Sequence, residues 1–383
     1  MLRIKMTADS RPLVLHVIHH LVTGGLENGL VNLINQLPES RFRHAVVCIE
    51  DYSSFRDRIT RADVEVVSLH RSQVGLWNLR LAIYHLCRRL RPAIVHSRNQ
   101  SGLDALLPAR LAGVRCCIHG EHGWDVDDLD GGKWKPRLLR RLHSPLVHRY
   151  ITVSRHLEQY LVNRVGIAPN RISQIYNGVD LARFAQREGD RYASLPQGFV
   201  GDDSVVIGTV GRLQPVKDQA TLLRAFAALE NASARLVMVG DGPLAANLRS
   251  LADSLGVGSR VWFSGALDDV PAMLGNIDVF VLPSLSEGIS NTVLEAMASG
   301  IPVLATAVGG NVELVEDGRS GRLFQPGDAA RLTQLLAAYL DDPDLRARHG
   351  AAGRDLVIER FSLAGMVASY QSIYEKFCCQ GSR

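Results

Sequence analysis

SEGISNTVLEAMASG, residues 286–300, follows the apolar run DVFVLPS, residues 278–284. The run reads as a buried strand. Val293, Leu294, Met297 and Ala298 then recur at helical spacing, so a helix is expected from about Asn291. Glu287 falls in the strand-to-helix loop, and Glu295 inside the helix. Gly288, Ile289, Ser290, Asn291 and Thr292 lead into its first turn. Open backbone amides and the helix dipole make such a place favourable for an anion. With an acid on either side, the stretch suits a sugar nucleotide: amides for a diphosphate, carboxylates for hydroxyls. It is equally consistent with a plain capped helix and two solvated acids, so the rest of the chain has to decide.

Working outward, strand and helix signals alternate along most of the 383 residues. Strand-like runs occupy 13–19, 44–50, 64–69, 93–97, 114–123 and 150–154, with a short run at 172–180. Helical patterns fall at 76–90, 103–113 and 155–165. Residues 181–204 lack periodicity and read as a linker. The alternation then restarts with strands at 205–212, 234–242, 261–265, 278–284 and 302–307. Helices follow at 217–229, 243–255, 332–340, 343–359 and 361–377. Two doubly wound α/β halves with a cleft between them are expected.

Composition narrows the class. A 46% apolar fraction is that of a globular protein, and a net charge of +4 does not point to nucleic acid. Six cysteines without CxxC spacing form neither a zinc pattern nor a disulfide framework, which fits a reducing cytoplasm. No apolar run is long enough to span a membrane. Residues 133–141 are basic, with Trp134, Leu138 and Leu139 interleaved. Such a segment, Lys133 to Arg141, predicts peripheral contact with anionic membrane. The other reading is a solvated helix packed on its own domain by Leu138 and Leu142. The acids before it, Asp125, Asp127, Asp128 and Asp130, lack calcium-loop spacing.

Several residues suit chemistry at a cleft. Gly24 and Gly25 lie between the first strand and first helix, where backbone can approach a phosphate or simply turn. Arg212 and Lys217 flank a tight loop after the strand at 205, and two cations there can neutralise a diphosphate. Each could instead be a surface charge. His119 and His122 lie at a strand end and could bond a sugar or only stabilise the loop. HGEH is not a zinc motif, and no metal site is expected. The chain lacks the GxGxxG fingerprint of a dinucleotide enzyme.

The order GG, EHG, NGVD, GR-x4-K, EG…EAMASGIPV and VGG resembles the retaining glycosyltransferases of family 4, and within them the bacterial exopolysaccharide sugar transferases. The resemblance spans nearly the whole chain and is most specific at the E-x7-E of Glu287 and Glu295. It implies a GT-B fold: a Rossmann-like acceptor domain at 1–185, a Rossmann-like nucleotide-sugar domain at 186–360, and a last helix, 361–383, crossing back to the first. It implies catalytic roles for His122, Arg212, Lys217 and Glu287, with His119 as substitute for His122. The donor would meet Gly24, Gly25, Arg212, Lys217 and the loop Glu287–Thr292; Glu295 would hold the ribose. The implied activity is metal-independent, retaining transfer from a UDP- or GDP-sugar to a saccharide or lipid-linked saccharide, with no further cofactor, on the cytoplasmic face of the cell membrane. Many members carry an aromatic residue after EG, where this chain has Ile289 and Ser290, which bears on the donor sugar. The alternatives are a nucleotide-sugar epimerase or phosphorylase of the same fold, or a non-catalytic nucleotide-binding assembly protein.

Overall fold

A computed structural model describes residues 9–124, 128–129, 131–184, 192 and 194–379. Asp125, Asp127 and Asp130 of the acidic run lie outside these residues.

The first half contains strands Leu13–Ile18 (β1), Arg43–Cys48 (β2), Glu65–Ser68 (β3), Ile94–Arg98 (β4), Cys116–Glu121 (β5), Arg149–Thr152 (β6) and Ile172–Gln174 (β7). Its helices are Gly25–Gln36 (α1), Arg71–Leu90 (α2), Asn99–Gly102 (α3), Leu106–Leu111 (α4), Trp134–His143 (α5) and Arg155–Tyr160 (α6). The second half has strands Val205–Val210 (β8), Ala234–Val239 (β9), Val261–Gly265 (β10), Val279–Leu282 (β11), Val303–Thr306 (β12) and Gly321–Phe324 (β13). Its helices are Gln219–Ala227 (α7), Ala245–Ser254 (α8), Val270–Leu274 (α9), Asn291–Ala298 (α10), Asn311–Leu314 (α11), Ala329–Asp341 (α12) and Pro343–Arg360 (α13). Leu363–Cys379 (α14) closes the chain.

The strands form two parallel sheets, ordered β3-β2-β1-β4-β5-β6-β7 and β10-β9-β8-β11-β12-β13. Central strands such as β11 are buried on both faces and read as continuous apolar runs rather than alternating ones, and β1 is likewise buried but interrupted by His16. In each sheet the chain winds outward one way, then returns to the middle and winds the other way. The reversal falls between β1 and β4 in the first sheet and between β8 and β11 in the second. Ligands bind beyond the carboxyl ends of strands at such reversals. Gly24–Gly25 and Arg98 stand at the first; Arg212 and Glu287 stand at the second.

The last helix returns to the first half. Met366, Val367, Tyr370 and Tyr374 of α14 share a core with Val14, Leu33, Ile94 and Ile118. The crossing is a hydrogen-bonded pair of chains: Val179 N–H donates to the Phe361 carbonyl at 2.9 Å, and Leu363 N–H donates to the Val179 carbonyl at 3.0 Å. Burying the aromatic face of α14 is what holds the returning helix against the first sheet.

Three expectations change. Residues 181–204 are more than a linker: Phe184 and Leu195 are buried in the second half's core, with Tyr192, Phe199 and Val200 against it. Their irregular spacing hides this from any periodic reading. The short, half-buried β13 has no sequence signal of its own. The basic segment does become a helix, α5, but Arg140 points inward. Its Nε donates to Glu121 Oε1 at 2.6 Å, with both side chains buried. Leu139, not Leu138 or Leu142, packs inward; the latter two are exposed. Cys48, Cys87, Cys116 and Cys117 are unpaired and buried, which pushes each thiol up to about 12.

Candidate active site

The loop after β11 is held from several sides. Leu285 N–H donates to the Val216 carbonyl at 2.8 Å, tying it to the loop after β8. Ser286 Oγ donates to the Leu129 carbonyl of the first half at 2.7 Å. Glu287 then projects toward Lys217, whose Nζ lies 2.5 Å from its Oε1. Lys217 is fixed by a 3-10 turn, Pro215–Lys217, and by Asp218 in the left-handed region at φ 44°. Gln219 Nε2 donates to the Arg212 carbonyl at 3.0 Å and so anchors that loop as well.

At Gly288 the backbones of the two halves lie against each other. A Cβ there would run into the His122 carbonyl oxygen and lie 2.7 Å from the Gly123 Cα. Only glycine fits between them. Ser290 caps α10, its Oγ accepting from Val293 N–H at 3.3 Å and lying 3.1 Å from Thr292 Oγ1. The amides of Asn291 and Thr292, in the first turn, have no intrahelical acceptor. Ile289 is buried beneath the loop, so it can offer a ligand its backbone only. Asn291 bridges the cleft: its Nδ2 donates to the Gly25 carbonyl at 2.9 Å, and its Oδ1 accepts from Asn177 at 2.7 Å. The starts of α1 and α10 therefore face each other.

Gly24 caps α1 in extended backbone and bonds no side chain. A Cβ there would overlap the Glu27 carboxylate. Sequence reasoning missed Glu27. Burial raises its pKa, and a hydrogen bond from its own backbone and the charge of Arg212 in the second half oppose that rise. The available signal was an acid in the first helical turn directly after a glycine pair. The Arg212 charge thus acts on an acid of the first half, while Lys217 pairs directly with Glu287 within its own half.

The remaining predicted residues divide. His119 is committed to structure: Nδ1 lies 2.8 Å from Ser97 Oγ and Nε2 3.3 Å from Glu121 Oε1. It is fully buried. Burial would push Glu121 up, but Arg140 and His119 hold it down at about 2. His122 stands at the cleft, its N–H bonded to Asn99 Oδ1 at 2.8 Å. Burial and the nearby Arg98 charge drop its ring to about 3, so it is neutral at pH 7. Glu295 sits apart from Arg212, Lys217 and Glu287. It lines a pocket between α1 and α10 with Asn28, Asn32, Asp180 and Arg183. Burial pushes it up to about 7, against the pull of Arg183 and Arg58.

Comparison with known proteins matches this arrangement half by half. Residues 23–183 match the family described as Glycosyltransferase Family 4, and residues 193–356 match Glycosyl transferases group 1. The chain belongs to glycosyltransferase family 4. A UDP-Gal:alpha-D-GlcNAc-diphosphoundecaprenol alpha-1,3-galactosyltransferase of Escherichia coli is 27% identical over 96% of this chain and 98% of its own. A GDP-mannose-dependent alpha-(1-6)-phosphatidylinositol monomannoside mannosyltransferase of Mycolicibacterium smegmatis is 30% identical over 66% of this chain and 68% of its own. The fold is that of Anabaena HepE, solved with UDP and glucose: TM-score 0.83, 21% identity, covering 96% of this chain and 100% of that one. This family 4 chain is therefore a glycosyltransferase of GT-B architecture in polysaccharide or glycolipid synthesis. Its two halves are drawn together at Gly25–Asn291 and His122–Gly288.

Proposed function

We propose that the chain moves a sugar from a UDP- or GDP-sugar, with retention of configuration, to a saccharide or lipid-linked saccharide in cell-surface or exopolysaccharide synthesis. The observation that carries this is the Lys217–Glu287 pair beside the start of α10, opposite the start of α1.

The donor diphosphate lies between the two helix starts, with Arg212 and Lys217 as its counter-charges. Glu287 holds hydroxyls of the transferred sugar, and neutral His122 contacts the same sugar. Glu295 takes the ribose from its pocket beside α1. As the bond from the anomeric carbon to the diphosphate oxygen breaks, negative charge grows on the leaving group. Arg212 and Lys217 then bind more strongly than in the ground state. The acceptor oxygen bonds to the same face of that carbon, and its proton passes to the departing phosphate. The two cations do the work a divalent metal does elsewhere, so the reaction needs neither metal nor cofactor. Closure of the halves around the donor expels water and limits hydrolysis.

The acceptor arrives at the inner face of the membrane. On α5, Trp134, Leu138 and Leu142 are exposed at helical spacing, beside exposed Lys133 and Lys135. Apolar side chains rimmed by cations suit an anionic lipid surface. Among the described residues no helix is long and apolar enough to cross a membrane.

The deciding experiment is calorimetry of the protein against UDP-, GDP- and ADP-sugars, followed by NMR of the product's anomeric proton. One donor should bind and give a retained glycoside in EDTA. Turnover of the donor sugar without acceptor would instead indicate an epimerase. No binding by folded protein would indicate a non-catalytic role.

A further inference from the structure

Glu313, in the short helix α11 of the second half, reaches into the first half. Its Oε2 accepts from Arg155 N–H at 2.9 Å and from the Tyr176 hydroxyl at 2.9 Å, and its Oε1 accepts from His156 N–H at 3.0 Å. Arg155 and His156 open α6. A helix start has backbone amides with no acceptor inside the helix. Here Ser154 Oγ accepts from Leu157 N–H at 3.3 Å, and Glu313 takes the two amides before it. A helix of one half is thus capped by a carboxylate of the other. The bonds are charge-assisted, and the carboxylate meets the positive end of the helix dipole. Tyr176 brings a second element to the same carboxylate. It follows β7 just before the crossing at Val179, and its ring stands edge-on to Phe361 with centroids 5.0 Å apart. Trp124 stands edge-on to His156 at 5.5 Å and packs against the cores of both halves.

The segment that carries Glu313 also backs the Glu287 loop. Gly309 and Gly310 come just before α11. Gly309 is in the left-handed region at φ 49°, and a Cβ on it would overlap the Glu287 carbonyl oxygen. A Cβ on Gly310 would overlap the Gly288 carbonyl oxygen. The segment is pinned to the strand ends beside it: Asn311 Nδ2 donates to the Thr306 carbonyl at 3.1 Å, and Thr306 Oγ1 donates to the Ser284 carbonyl at 2.6 Å. The Glu287 loop therefore has Gly309 and Gly310 against its carbonyls, and His122 and Gly123 against Gly288. The first half supports the loop twice, directly at His122–Gly123 and through Glu313.

We propose that Glu313 is a positioning residue for sugar transfer: by gripping the start of α6 and Tyr176, it holds segment 309–313 against the Glu287 loop and so sets Glu287 and Lys217 for reaction when the halves are together. Glu313 acts through that loop and touches neither donor nor acceptor. The inference rests on the transfer reading above for the role of Glu287. The donor's own contacts, Arg212, Lys217 and the loop to Thr292, belong to the second half, so a released Glu313 leaves them in place for binding. What it removes is the alignment of the reacting groups and the seal against water, both of which act on turnover.

The test compares wild type, Glu313→Gln and Tyr176→Phe. Glutamine keeps the size of the side chain but leaves one acceptor oxygen for three donors. Phenylalanine removes only the hydroxyl, and it decides the matter even if Glu313→Gln fails to fold. Hydrogen exchange reads the first turn of α6, calorimetry reads the affinity for UDP and GDP, and a steady-state assay reads transfer against hydrolysis of the donor. In Glu313→Gln the amides of Arg155 and His156 should exchange faster, and a larger share of donor should be lost to water. Nucleotide affinity should stay within about threefold while kcat falls about tenfold or more. Tyr176→Phe should move the same quantities in the same direction by less. Faster exchange with wild-type kcat and wild-type hydrolysis overturns the inference, because the contact then only joins the halves. Nucleotide affinity that falls in step with kcat overturns it by making Glu313 part of donor binding. Unchanged exchange overturns it by showing that Glu313 does not hold α6. If wild type binds no nucleotide and transfers no sugar, the transfer reading fails and the positioning role falls with it, while exchange still reports the contact itself.

Discussion

Lys217 Nζ lies 2.5 Å from Glu287 Oε1, joining the loop after β8 to the loop after β11 across the second sheet's reversal point. The two side chains are 25% and 9% exposed, so water screens the pair only partly. Lys217→Ala removes a cation from the leaving group and leaves Glu287 alone. Turnover should fall by about two to three orders of magnitude, the scale seen for one lost transition-state donor. Steady-state rates with the correct donor check this, with circular dichroism confirming the fold; near-normal turnover would remove Lys217 from the diphosphate site.

Glu295 makes a pH prediction. Its folded pKa of about 7 lies above its ordinary 4.5. Between those values the folded protein holds a proton the unfolded chain has lost, so this group's contribution to stability falls as pH rises through 5 to 7. Glu295→Gln should flatten that part of the melting-temperature profile. It should also weaken nucleotide binding at pH 8, where the carboxylate accepts ribose hydroxyls. Unchanged nucleotide affinity across this range in the variant would refute the ribose role.

Arg140 and Glu121 offer a stability test free of substrate. Removing one partner of a buried pair strands the other charge, at a cost of about 3–5 kcal/mol. Arg140→Ala should therefore lower the urea midpoint markedly. The pair's contribution is present above the ordinary glutamate pKa and is lost as pH falls toward 2.

The outer face of α5 should behave in the opposite way. Trp134→Ser with Leu138→Ser and Leu142→Ser removes exposed side chains. Binding to phosphatidylglycerol vesicles in a flotation assay should drop, while the melting temperature stays within a few degrees. Binding that persists would place any lipid contact elsewhere.

Much of the site was legible from sequence because it sits in local strand-to-helix loops. The apolar run 278–284 and the helical spacing from Asn291 placed Glu287 in a loop and Glu295 in a helix, as found. Contacts made by sheet order could not be read. His16, His44, His96 and Arg98 meet because β2, β1 and β4 are neighbours, and Tyr374 joins them from the far end of the chain. The same holds for Arg140, whose inward turn depends on Glu121 nineteen residues away. Glu27 reads in the sequence only as an acid in the first turn of α1. Its significance comes from Arg212 in the other half.

The return of α14 has a consequence for how the protein is made. Tyr370 and Tyr374 complete one face of the first sheet, yet they are synthesised only after the whole second half. The first half therefore leaves the ribosome with that face uncovered, and stays so until α14 has followed. The second half, whose core draws on residues up to Phe361, can settle earlier. The usual order of domain-by-domain folding from the amino terminus is thus reversed for the final step. A stop codon anywhere within α14 would spare the complete second half and still leave the first half's sheet exposed, so the cell would meet such a product as an aggregation-prone chain rather than a shortened enzyme.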